Sequence, residues 1–219
     1  MIEDRLAIAL ERGAEELGVP LTSGVFSKLQ HYLALLQKWN QAYNLTAIRE
    51  PEDMLRLHIL DSLTVVPWVQ KNRESLQRII DVGTGAGLPG IVLAVLFDDL
   101  PVTLLDSNGK KTRFLIQAKA ELSLVNVTVV QDRVERYQPE HRYDAIFSRA
   151  FATLGDMTDN AQHLLADNGR FLAMKGQYPE AEMSDLASAC CIEASYALTI
   201  PGVNADRHLI EISMPKGAS

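Results

Sequence analysis

Apolar residues in the first third of the chain recur every three to four positions, the spacing of one face of a helix. The stretch IEDRLAIALERGAEEL carries this rhythm up to Gly18, where a glycine ends it. Thr22 or Ser23 can then cap a second helix whose apolar face includes Phe26, Leu29, Leu33 and Leu36. NQAYNLTAIRE reads as a loop. Pro51 suits an early position of a third helix, with Glu52 and Asp53 favourable near its N-terminus and MLRLHILDSL as its body. From Arg78 the pattern changes to short apolar runs alternating with helical ones. Strands are expected at RIIDV, VTLLD, VTVVQ, YDAIFS and GRFLAMK, with helices at PGIVLAVLF, KKTRFLIQAKAEL and LGDMTDNAQHLL between them. Such alternation builds a parallel sheet covered by helices. CCIEASYALTI and DRHLIEISM then follow one another with only PGVNA between, so they form a hairpin that makes the last strand antiparallel.

The 219 residues suit one large domain, or a core with a helical extension, and no linker divides them. The division expected is a helical extension over residues 1–72 packed on a core over residues 73–219. Composition narrows the class. Hydrophobic residues make up 47% and no segment is repetitive, as in an ordinary globular protein. A net charge of −7 excludes a generic phosphate-coating nucleic-acid binder, so any RNA must meet a local basic patch. The charged N-terminus is no secretory signal, and no apolar run approaches a membrane span; a cytoplasmic protein without a membrane partner is expected. Cys190 and Cys191 are adjacent and lack companions at metal-ligand spacing, so they read as small apolar strand residues.

The chemistry concentrates in RIIDVGTGAGLPG, residues 78–90, an apolar strand running into a glycine-rich loop. Gly85, Gly87 and Gly90 satisfy the G-x-G-x-x-G spacing of a dinucleotide site, and Asp106 stands where such a site keeps its ribose-binding acid. An NAD-dependent oxidoreductase is therefore one reading. Asp81, however, precedes the glycines, where a carboxylate repels a pyrophosphate and suits an ammonium or sulfonium group. Together with the terminal hairpin this resembles the Rossmann-like S-adenosylmethionine-dependent methyltransferase fold: α/β, with a mostly parallel seven-stranded sheet, a C-terminal antiparallel hairpin and here an N-terminal helical extension. In that reading Asp106 accepts from the ribose hydroxyls and Asp81 sits near the methionine end. Asp132, after the third strand, is a candidate for the adenine amino group.

Longer segments carry a narrower resemblance. LLQKWNQAYNLTAIREPEDMLRLHILDSL, IDVGTGAGLPGI, TLLDSNGKKTRFL, SRAFA and KGQ closely resemble the RsmG (GidB) family over nearly the whole chain. The resemblance implies methylation at N7 of a single guanine, guanine 527, in bacterial 16S ribosomal RNA. It also implies that S-adenosyl-L-methionine is the cofactor, that the 16S RNA or small ribosomal subunit is the partner, and that no DNA is bound. Carried over by position, its cofactor contacts fall on Gly83, Leu88, Val134, Glu135 and Arg149, and Gly85 of the glycine loop is a further cofactor candidate. Arg149 faces either the methionine carboxylate or an RNA phosphate. No general base is needed, because guanine N7 carries an in-plane lone pair and no proton; Arg149 and Lys175 are positioning candidates. Lys110, Lys111 and Arg113 at a helix start, Lys175 at a strand end, and Arg56 are candidates for RNA, with a solvated helix face the competing reading for Lys110 and Lys111. Arg56, His58, Asp61 and Ser62 can share a helix face, either shaping the guanine pocket or binding RNA, or forming a buried polar network with His58 satisfied by Asp61, the role expected for those two. Trp39 and Tyr43 read as core. A non-catalytic ribosome-assembly factor that holds the cofactor structurally is the third reading.

Overall fold

Why the chain folds as it does is clearest at its element ends. The computed structural model describes residues 2–186 and 190–215. Helix α1, Ile2–Glu16, ends before Gly18, whose φ of +69° is the left-handed value a glycine adopts freely. The Thr22 hydroxyl accepts from the Val25 N–H at 3.3 Å and opens α2, Ser23–Tyr43. The helix closes on Asn44, also left-handed at φ 50°. The loop after it is pinned by the buried Asn40 amide, which donates to the Ile48 carbonyl and accepts from the Thr46 N–H.

Pro51 opens the third helix, α3, over 51–63. Its middle, Leu55–Leu60, widens to π-type turns, flanked by α-helical Pro51–Met54 and Asp61–Leu63. Such insertions often mark functional positions, and this one lies among His58 and Asp61. A further helix, α4, Val66–Asn72, carries a proline in its first turn, where the missing N–H costs nothing.

The alternating part forms strands β1, Ile79–Val82; β2, Val102–Asp106; β3, Val127–Gln131; β4, Tyr143–Ser148; and β5, Leu165–Lys175. Helices α5, Gly90–Leu96, α6, Gly109–Glu121, and α7, Leu154–Ala161, connect them. A short helix not expected from the sequence, α8, Glu180–Ser184, precedes the hairpin of β6, Cys191–Ala197, and β7, His208–Ser213. The seven-stranded sheet has the order β3-β2-β1-β4-β5-β7-β6. β1 to β5 are parallel, and β7 runs antiparallel to both β5 and β6.

Alternate strand residues supply two cores. Ile79, Leu104 and Leu172 face one side, where Leu10, Leu29, Leu36, Leu63, Ile91 and Phe114 cover them. Ile80, Leu105, Phe171 and Ala173 face the other, under Leu154 and Met157. The N-terminal helices thus share one continuous apolar cluster with the sheet. β1 lies between β2 and β4, so the chain winds outward in both directions from it. Open α/β sheets bind ligands at the carboxyl ends of the strands at such a switch point, and here that place is the glycine loop.

Candidate active site

β1 delivers Asp81 and Val82 to the sheet edge, and the loop 83–89 follows. Gly83, Gly85 and Gly87 have φ of +66°, +62° and +96°. Gly83 is needed twice, because a Cβ there would also collide with the Ala150 methyl of the loop after β4. The Gly83 and Thr84 N–H groups both donate to the Leu105 carbonyl, tying the loop to the end of β2.

Asp81 is buried. Its Oδ2 accepts from the Thr84 hydroxyl at 2.6 Å and from the Gly90 N–H at 2.8 Å, while Oδ1 has no hydrogen-bond partner among the described residues. Burial pushes its carboxyl up to about 7, against the opposing effects of those two hydrogen bonds and the Arg149 charge. Gly90 begins α5, so a carboxylate of the protein occupies the helix N-terminus that a dinucleotide fold offers to pyrophosphate. Asp106 ends β2, with Oδ2 accepting from the Gly85 N–H and Oδ1 from the Asn108 N–H. Two acids therefore flank the glycine loop, an arrangement suited to a ligand with hydroxyls and a positive charge.

The remaining residues fall into three places. Leu88 is buried in the glycine loop. Val134 and Glu135 lie in the turn after β3, Val134 half-buried against the second core and Glu135 exposed. Asp132 is committed within that turn, accepting from the Arg133 N–H at 2.8 Å and pairing with Arg136 at 3.0 Å.

Arg149 follows β4 and reaches back to the N-terminal helices. Its Nη1 lies 3.0 Å from Asp61 Oδ2. Arg207, just before β7, places Nε 3.3 Å from Asp61 Oδ1. One buried carboxylate therefore holds two arginines drawn from distant parts of the chain. Burial raises the Asp61 pKa, and both guanidiniums oppose that rise. His58 is not satisfied by Asp61, contrary to the helix-spacing expectation. The π-type turns orient it elsewhere: Nε2 meets the Thr46 hydroxyl at 3.0 Å and Nδ1 the Leu57 carbonyl at 3.1 Å. Burial lowers its pKa to about 4, so the ring is neutral, donating from Nδ1 and accepting at Nε2. Arg56 departs from that face as well, pairing at 3.8 Å with Glu52 beside Gly202.

The basic candidates separate. Lys110 and Arg113 are exposed on α6. Lys111 is instead half-buried, with Nζ 3.8 Å from Asp106 Oδ2 and close over Gly85. The Lys175 charge is met by Glu182 Oε2 at 2.8 Å and the Ala152 carbonyl at 2.9 Å, joining the end of β5 to α8 and to the loop after β4. Trp39 packs against Phe114 as core, but Tyr43 is largely exposed.

Sequence reasoning passed over Arg207, although the hairpin gave a signal. An antiparallel β7 beside β5 sets His208 opposite Lys175, which brings the residue before it to the same edge. It also passed over Tyr32, whose hydroxyl donates to the Ala86 carbonyl within the glycine loop. Only a ring on a helix face is visible there in the sequence.

The fold matches solved methyltransferases. A glycopeptide N-methyltransferase, MtfA, complexed with sinefungin superposes with a TM-score of 0.58 at 12% identity, covering 71% of this chain and 87% of that one. TrmN from Thermus thermophilus gives 0.56 at 14% identity, covering 74% of this chain and 53% of that one. The chain thus has the α/β fold of these methyltransferases. The model of the GidB family, rRNA small subunit methyltransferase G, matches residues 25–210. Ribosomal RNA small subunit methyltransferase G of Hydrogenovibrio crunogenus is 51% identical over 211 residues, 96% of this chain and 95% of the relative. That of Pseudomonas aeruginosa is 50% identical over 201 residues, 92% of each. This chain belongs to the rRNA small subunit methyltransferase G family, and the oxidoreductase reading falls.

Proposed function

We propose that this protein transfers a methyl group from S-adenosylmethionine to N7 of a single guanine in the 16S RNA of the small ribosomal subunit, in the cytoplasm. The observation that carries the cofactor assignment is Asp81: one oxygen fills the N-terminus of α5, and the other is buried without a partner among the described residues. A ligand ammonium beside that oxygen would satisfy it and favour the charged carboxylate. The residues present therefore fit the cofactor.

In this reading Gly83, Gly85 and Leu88 line the cofactor through the glycine loop, and Asp106 accepts from its ribose hydroxyls. Val134 and Glu135 meet the adenine edge, with Asp132 beside them. Bound there, S-adenosylmethionine supplies an electrophilic methyl on a sulfonium. The protein need not remove a proton from the guanine, since N7 bears none. Its task is to hold the base in line and to draw it from its stack. Arg149, close enough to Asp81 to act on its charge, takes the methionine carboxylate. Arg207 shares Asp61 with it but stands on the hairpin side, and takes an RNA phosphate. Lys110 and Arg113 extend that basic surface, while Lys175 braces the loops around it. We also divide the chain into a helical extension, 1–72, and a methyltransferase core, 73–219, that share one apolar cluster.

Titration calorimetry tests the cofactor half of this proposal. S-adenosylmethionine and S-adenosylhomocysteine should bind, and NADH should not; tight binding of NADH alone would overturn it. Arg149→Ala should lose cofactor affinity, whereas Arg207→Ala should keep it and raise the KM for ribosomal RNA. The reverse pattern would exchange the two roles.

A further inference from the structure

Tyr32 lies in α2, far from the glycine loop in sequence, yet its hydroxyl donates to the Ala86 carbonyl at 2.6 Å. The ring is fully buried, 6.1 Å from that of Phe114 in α6, so it cannot swing away from this bond. Ala86 stands between Gly85 and Gly87, both at positive φ. Two such glycines leave a loop more conformations than other residues would, and the bond from Tyr32 is the side-chain constraint placed on the carbonyl between them. The same loop sends the Gly85 N–H to Asp106, so the carbonyl held by Tyr32 and the acid expected at the ribose belong to one short segment. Burial, and after it the Asp81 charge, push the Tyr32 hydroxyl's pKa up, with Arg149 opposing, so the hydroxyl stays protonated and able to donate.

We propose that Tyr32 is a positioning residue for the cofactor, through which the N-terminal helices hold the glycine loop in its binding conformation. The inference rests on the cofactor reading above. The helical extension is then a working part of the cofactor site as well as a cover for one face of the sheet. Asp61, from α3, makes the second such attachment by holding Arg149.

Tyr32→Phe keeps the ring and removes only the donor. Loss of one neutral hydrogen bond, with a buried carbonyl left unpaired, corresponds to an affinity for S-adenosylmethionine about five- to tenfold weaker. The KM for the cofactor should rise to match, with kcat at saturating cofactor within about twofold of wild type. Leu10→Ala, in α1 of the same apolar cluster, serves as the control for general loosening: it should lower the melting temperature while leaving affinity within about twofold, because the Tyr32 ring packing and hydroxyl contact survive. Unchanged affinity in Tyr32→Phe would overturn the proposal. So would a parallel loss in Leu10→Ala, since the effect would then follow core stability. Absence of cofactor binding by the wild-type protein would instead refute the cofactor reading on which this inference stands.

Discussion

Asp81 is the residue on which the site turns. Its carboxyl titrates near 7 because burial disfavours the charge, and the folded state holds its proton more tightly than the unfolded chain does. Taken alone, this contributes stability below the unfolded carboxylate range that is lost as the pH rises through about 7. A cationic ligand reverses the preference, because it binds the ionised form. Affinity for S-adenosylmethionine should therefore rise between about pH 6 and pH 8, by at most tenfold per unit below the Asp81 pKa. Calorimetry across that range checks the slope, and Asp81→Asn should flatten it while weakening binding throughout. A wild-type affinity independent of pH would remove Asp81 from contact with the ligand's charge. Asp61 poses a different problem, since two guanidiniums share it. Asp61→Asn should leave them repelling one another and lower methyl transfer about tenfold or more, measured at saturating cofactor. Turnover equal to wild type would show that this carboxylate does not organise the site. Asp81 and Asp106 were legible in the sequence because strand ends and glycine spacing are local. The pairing of Asp61 with Arg149 and Arg207, and the Tyr32 bond, were not, because each joins residues brought together only by the tertiary fold.

At the level of elements, the alternating half was read nearly residue for residue. β2, β3 and β4 coincide with the apolar runs that announced them. β5 departs, starting at Leu165 where the pattern suggested Gly169. Leu165 pairs with Tyr143, but the register then slips before Ala145 meets Arg170. The intervening Asp167, Asn168 and Gly169 carry the composition of a turn, which hid the bulge. The π-type turns of α3 left no signature either, and they are what separate His58 from Asp61. Neutral His58 carries a pH consequence of opposite sign. Its folded pKa lies below the usual histidine value, so its contribution is present above about 6.5 and lost as the pH falls toward about 4. A His58→Gln variant, which lacks that titration, should show a flatter decline of melting temperature across the interval than wild type; identical declines would assign the acid sensitivity elsewhere. The glycine loop can be tested by a pair of substitutions. Gly83→Ala should sharply lower stability and cofactor affinity, since it adds both left-handed strain and a collision with Ala150. Combining it with Ala150→Gly removes the collision but not the strain, so only part of the loss should return. Full recovery, or none, would show that one of the two terms is absent.

Across the whole molecule, the sheet order sets the glycine loop at the switch point between β1 and β4. The hairpin then brings Arg207 to the same edge, and the N-terminal helices reach in with Tyr32 and Asp61. Three separate regions of the chain thus converge on one rim. An overall charge of −7 leaves ribosomal RNA to be met by a local basic patch, for which we propose exposed Lys110 and Arg113 together with Arg207. The most direct measurement is the identity of the product. Small ribosomal subunits lacking the modification would be incubated with the protein and methyl-labelled S-adenosylmethionine, digested to nucleosides and analysed by mass spectrometry. Label in 7-methylguanosine alone, from one site in the RNA, is the predicted result. Label in any other nucleoside, or none although the cofactor binds, would contradict the account.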